Sequence, residues 1–178
     1  GLSEMASALG RRDIERLLGE LNRELAADGV KATLSLSGGA VMALVFDARA
    51  STTDVDGIFQ PSVKVLEAAL RVAAREGLSE HWLNDDVKAY LRDHGRFEPF
   101  RELSHLKVMH ASAEYMLAMK CLAMRLGEGY QDLDDVRYLL RNLGVRRLEH
   151  AKEILARYYP LDDYPPTAMA ALEELLSG

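Results

Sequence analysis

Leu36-Ser37-Gly38-Gly39-Ala40-Val41-Met42-Ala43-Leu44, followed by Thr53-Asp54-Val55-Asp56, joins a glycine turn to two carboxylates through a short apolar segment. If Asp54 and Asp56 lie on a strand, the period of two puts both on one face. Two like charges side by side repel, so the pair is costly unless a cation sits between them. A hard divalent ion with oxygen ligands, Mg²⁺ or Mn²⁺, is the natural compensation. A glycine turn ahead of a helix can hold a phosphate on free backbone N–H groups. Together these features point to nucleotide chemistry.

Outward from this stretch, the pattern predicts alternating elements and then helices alone. Arg12 to Ala27 reads as a helix with Ile14, Leu17, Leu18, Leu21 and Leu25 on one stripe, stopped near Gly29. Lys31 to Leu36 reads as a strand, Ala40 to Phe46 as a short buried helix, and Ser51 to Phe59 as a strand carrying Asp54 and Asp56. A helix from about Pro61 to Glu76 turns Val65, Leu66, Ala69, Leu70 and Ala73 inward. Trp82 to His94 is expected helical, Gly95 to Glu102 a turn region, and Leu103 to His110 a third strand. Ser112 is a good N-cap for a helix reaching about Leu126, interrupted by Gly127 and Gly129. Helices over Asp132 to Asn142, Arg147 to Tyr158 and from Pro165-Pro166 to Leu176 complete the chain. The expected fold class is α+β: residues 1–111 bear the sheet, residues 112–178 form a helical C-terminal lobe, and the two make one compact unit.

The 178 residues are 48% apolar and 28% charged, ordinary for a globular protein with a real core. The net charge of −6 argues against general nucleic-acid binding but allows a local basic groove. Cys121 is the lone cysteine, which fits a reducing compartment. No apolar run reaches membrane-spanning length. Gly1-Leu2-Ser3-Glu4 shows no basic-then-apolar signal, and Gly1 reads as a residue left by tag removal. A cytoplasmic protein without membrane contact is expected.

Several residues have competing readings. Lys120 has Met116, Leu117, Ala123 and Met124 as its helical neighbours, so its ammonium must snorkel, pair or meet an anionic ligand. Asp132, Asp134 and Asp135 open a helix, where carboxylates favour the dipole without any further role. Cys121 and the methionines Met109, Met116, Met119 and Met124 read as core. Lys64, Arg71 and Arg75, and likewise Arg137, Arg141, Arg146 and Arg147, read first as solvated helix faces and second as nucleic-acid contacts.

The stretch from Leu36 to Leu44, with Arg49 and Thr52 ahead of Asp54-Val55-Asp56, resembles the first motif of minimal polymerase-β-type nucleotidyltransferases. It is most similar to the branch of the AbiEii-type toxins and related uncharacterised bacterial nucleotidyltransferase-like proteins. Glu114 to Arg125, with Lys120 in it, and then Asp132-Leu133-Asp134-Asp135-Val136 resemble the downstream lysine and aspartate block of that branch, and Trp82-Leu83-Asn84-Asp85 is similar to it too. The likeness covers about Thr33 to Gly144.

The resemblance implies a polymerase-β-like nucleotidyltransferase core, a small mixed sheet with flanking helices, followed by the helical lobe. It implies transfer of a nucleotide from an NTP to a hydroxyl of RNA, tRNA included, or of protein, as in a toxin of a toxin–antitoxin or phage-defence system with a cognate antitoxin. In that reading Asp54 and Asp56 hold Mg²⁺ or Mn²⁺. Ser37, Gly38 and Gly39 hold the β- and γ-phosphates. Lys120 reaches the triphosphate, and Asp132 orients Lys120 or acts as a base. The chain departs from the pattern in three places: Gly38-Gly39 stands where many relatives have Gly-Ser, Gln131 stands where an arginine is usual, and the expected third strand has no carboxylate. Asp85, Asp86 or Glu102 could supply the missing carboxylate. Without it, the alternative is a catalytically degenerate binding or regulatory protein of the same fold.

Overall fold

The structure, a computed structural model, describes residues 8–126 and 131–177. The glycine interruptions expected at Gly127 and Gly129, and the reading of Gly1 to Glu4, lie outside the described residues. Among the described residues the chain is α+β, with a five-stranded mixed sheet and seven α-helices. None of these helices is long and apolar enough to cross a membrane. Two compact units emerge. One takes the chain up to Leu91 together with Phe97–Ala111; the other takes Arg92–Arg96 and everything from Ser112 onward.

The sheet unit begins with α1 (Arg11–Ala27), whose stripe of Ile14, Leu17, Leu18, Leu21 and Leu25 is buried as the spacing predicts. Then follow β1 (Ala32–Ser37), α2 (Gly38–Leu44), β2 (Val55–Gln60) and α3 (Ser62–Glu76). The strand β3 (Leu83–Asn84), a 3₁₀ turn over Asp86–Tyr90, β4 (Phe97–Glu102) and β5 (Leu106–Ala111) complete the unit. The strand order is β3-β2-β1-β5-β4. β1 runs antiparallel to β2 and parallel to β5. Leu34, Leu36, Val55, Phe59, Leu106 and Val108 are buried in the strands, and α1 packs beside α3.

Four expectations are corrected here. The strand expected over Ser51 to Phe59 starts only at Val55. Upstream of it, Thr52 is claimed by Leu9, which it meets through Leu9 N–H to Thr52 O at 2.7 Å and Thr52 N–H to Leu9 O at 2.9 Å. On α3, Leu66 and Leu70 are 37% and 45% exposed, while Ala68 and Val72 are buried. A 3.6-residue stripe rotated by one position satisfies the periodicity equally well, and its small alanines allow closer helix approach.

The helix expected over Trp82 to His94 is replaced by β3 and the 3₁₀ turn. Trp82 is pinned through its indole N–H to Ala69 O at 2.9 Å, and Asn84 Oδ1 accepts from the Asp86 N–H at 3.2 Å. Tertiary contact and a local side-chain turn thus outcompete the helical pattern. The turn expected over Gly95 to Glu102 is largely β4, an edge strand that accommodates Pro99 beside a register shift.

The helical unit holds α4 (Ala113–Leu122), α5 (Asp132–Asn142), α6 (Leu148–Ala156) and α7 (Pro166–Leu176). Ser112 caps α4 by accepting from the Tyr115 N–H at 3.2 Å. Gly144, at φ +69°, ends α5 in the left-handed conformation that glycine adopts freely. Tyr115, Leu117, Cys121, Val136, Leu139, Leu155, Tyr159 and Leu172 fill this unit's core. Burial pushes the Cys121 thiol up to about 12, which fits core packing and not nucleophilic use.

Candidate functional site

At one end of the sheet, neighbouring strands set three polar residues side by side. Ser37 on β1 is the register partner of Asp56 on β2, and Asp56 is in turn the partner of Asn84 on β3. Register partners share a face. Val55 is fully buried and Asp56 half-buried; Asp54, half-buried like Asp56, stands in a bend just before the first residue of β2.

The glycine turn closes against this row. Gly38 has φ +67°, and a Cβ built there would stand 2.6 Å from Asp56 Oδ2. Glycine is therefore required twice: by the backbone conformation and by the close approach of the carboxylate. Ser37 is buried, and its hydroxyl oxygen has no hydrogen-bond partner. It does not cap α2 either. A buried hydroxyl left unsatisfied costs about 1–3 kcal/mol, so an orphan at this place is a reason to look for a ligand.

Whether these residues suit a magnesium-bound nucleotide is a matter of donor chemistry. Among the described residues, no three of histidine, cysteine, aspartate and glutamate are grouped to hold a metal ion. Mg²⁺ seldom uses such a cage; it takes one or two carboxylates, waters and the phosphates of its substrate. Asp56 beside an unsatisfied hydroxyl and a glycine cradle, with Asp54 two residues before it in the chain, fits that donor set. None of Asp85, Asp86 and Glu102 joins them in a metal-holding group.

The helical unit contains a second constellation. Lys120 Nζ lies 2.9 Å from Asp135 Oδ2 and 3.3 Å from Asp132 Oδ1, with both aspartates buried and the lysine side chain 12% exposed. Asp132 Oδ2 also accepts from the Arg125 backbone N–H at 2.8 Å and from Arg125 Nε at 3.0 Å. Burial alone would raise the Asp132 pKa, but hydrogen bonds from Arg125 and the charge of Lys120 outweigh it and hold the carboxyl below its ordinary value. In the structure Lys120 is paired with these two carboxylates. Asp132 and Asp135 are not solvated dipole partners; of the three aspartates only Asp134 is exposed, and it pairs with Arg137 at 2.8 Å.

The basic residues of α3 also find partners. Arg71 meets Glu24 at 2.7 Å and Asp28 at 2.5 Å, Arg75 meets Glu20 at 2.9 Å, and Lys64 meets Glu67 at 3.8 Å.

The sequence marked Asn84 and Asp135 only as members of longer segments, with no role of their own at a site. Asp135 had a legible signal: Asp132, Asp135, Val136, Leu139 and Leu140 form one buried stripe, so the two carboxylates continue an apolar face. Asn84 had none, because its place beside Asp56 depends on strand pairing. Comparison of the chain with protein-family models, curated proteins and solved structures finds no match.

Proposed function

We propose that this chain is a nucleotidyltransferase with a polymerase-β-like core in its sheet unit. It moves a nucleotide from an NTP to a hydroxyl of RNA or protein, in the setting of a toxin–antitoxin or phage-defence system. The observation that carries the reading is the closure of Gly38 on Asp56 beside the orphaned Ser37 hydroxyl.

In this reading Asp54 and Asp56 hold Mg²⁺ or Mn²⁺, which when bound neutralises phosphate charge and acidifies the acceptor hydroxyl. Ser37 donates its hydroxyl hydrogen to a phosphate oxygen. Gly38 and Gly39 leave the backbone open to close approach by the β- and γ-phosphates. The acceptor hydroxyl gives its proton to water, its oxygen attacks the α-phosphorus in line, the bond from that phosphorus to the α,β-bridging oxygen breaks, and pyrophosphate leaves. In the helical unit, Asp132 and Asp135 fix the orientation of the Lys120 ammonium. Pyrophosphate release from an NTP in the presence of cellular RNA and protein tests the reading. Release by the wild type and none by Asp54→Asn supports it; equal release by both overturns it.

One observation favours the degenerate alternative. β5, the other neighbour of β1, carries Lys107, Met109 and Ala111 on the face of Ser35 and Ser37, and no carboxylate. A folded protein that binds Mg²⁺–NTP and never turns it over would establish that form.

A further inference from the structure

The glycine pair has a second flank. A Cβ at Gly39 would run into Arg49 Nη1 and stand 2.6 Å from Thr52 Oγ1. The two glycines thus carry opposite charges beside them: a carboxylate against Gly38 and a guanidinium against Gly39.

The loop bearing Arg49 is tied down by backbone bonds on both sides of it. Ala48 N–H donates to Met42 O at 2.8 Å, Thr52 exchanges its pair of bonds with Leu9, and Val55 N–H donates to Trp82 O at 2.6 Å. The main chain that carries Arg49 is therefore placed by the fold before any ligand arrives, and its guanidinium lies against Gly39, the kind of preorganisation that lowers the cost of binding. Lys120, in contrast, already answers two buried carboxylates in its own unit.

Building on the nucleotidyltransferase reading, we propose that Arg49 is the phosphate-binding cation of the sheet unit. Its ligand is the β,γ-diphosphate tail of a nucleoside triphosphate, and the hydroxyls of Thr52 and Ser37 add donors to the same anion. A phosphate chain beside Asp54 and Asp56 needs positive charge, and a fixed guanidinium matches phosphate oxygens two at a time. Its five N–H donors let it serve a carboxylate and a phosphate together, so the role does not require Arg49 to lack other partners.

The test is titration calorimetry on the full chain with Mg²⁺, using each of the four NTPs and the matching monophosphates. Wild type, Arg49→Gln and Arg49→Lys are compared. Arg49→Gln is expected to weaken triphosphate binding by at least about tenfold, the loss of one charge-assisted contact, and to leave monophosphate binding nearly unchanged. Arg49→Lys is expected to fall between, since an ammonium is a point charge without the fork. Equal triphosphate affinity in wild type and Arg49→Gln overturns the inference and leaves the nucleotidyltransferase reading standing. Equal loss of tri- and monophosphate binding also overturns it, because Arg49 then only braces the loop. A wild type that binds no NTP overturns both. If the glutamine variant fails to fold, the lysine variant decides: a reduced preference for triphosphate over monophosphate supports the role, and an unchanged preference overturns it.

Discussion

Gly38 faces Asp56 so closely that a methyl group on Gly38 would stand 2.6 Å from the Asp56 carboxylate. Gly77 has a similar backbone, φ +70° against +67°, with nothing near the position of a Cβ. Gly77→Ala should therefore cost only the left-handed strain, about 1 kcal/mol. Gly38→Ala should cost that strain and also displace Asp56. Thermal unfolding and Mg²⁺–NTP titration of the two variants check this: both are expected to lose stability, and only Gly38→Ala to lose nucleotide affinity.

Metal and nucleotide should bind as one. With two carboxylates and no larger metal-holding group among the described residues, Mg²⁺ alone should bind weakly, because it relies on phosphate oxygens to complete its shell. Calorimetry is expected to show Mg²⁺ affinity rising on addition of NTP. Asp54→Asn, which halves the carboxylate charge, should abolish that rise while the protein stays folded.

Stability of the helical unit should fall in acid through Asp132. Its folded pKa is held below the ordinary 3.8, despite burial, by Arg125 and Lys120. A depressed pKa gives stability that is present above pH 3.8 and lost as pH falls through the lower, folded value. Asp132→Asn should cost about 2–3 kcal/mol at neutral pH, because Lys120 keeps Asp135 alone. It should also flatten the acid limb of the curve. Urea unfolding between neutral pH and strong acid measures both effects.

The ion pairs joining α3 to α1 should matter far less. Arg71 is 42% exposed, and its bonds to Glu24 and Asp28 lie at the rim. Arg71→Ala is expected to cost about 1 kcal/mol or less, and added salt should shrink the difference further. Denaturant curves at low and high salt check it.

What the sequence disclosed follows from which forces are local. The apolar stripe of α1, the Ser112 cap and the start of α5 at Asp132 depend on neighbours a few residues away, and each was legible. The strand character of Leu83-Asn84 and Phe97–Glu102 was not, because both segments are strands only through pairing with distant partners. The burial of Asp132 and Asp135 was legible only as a continuation of the stripe of Val136, Leu139 and Leu140, and the ordinary preference of acids for helix starts offered a competing reading. At the candidate site, spacing singled out Asp54, Asp56 and the glycines as candidates. The approach of Gly38 to Asp56, and of Arg49 to Gly39, required the fold.

The most direct measurement of the central claim is label transfer. Purified protein is mixed with Mg²⁺, each labelled NTP in turn and a pool of cellular RNA and protein, with Asp56→Asn as control. The expected result is label moved to RNA or protein by the wild type and not by the variant, which would also name the nucleotide and the class of acceptor. Transfer by both proteins alike, or by neither with any NTP although the wild type is folded, would contradict the claim.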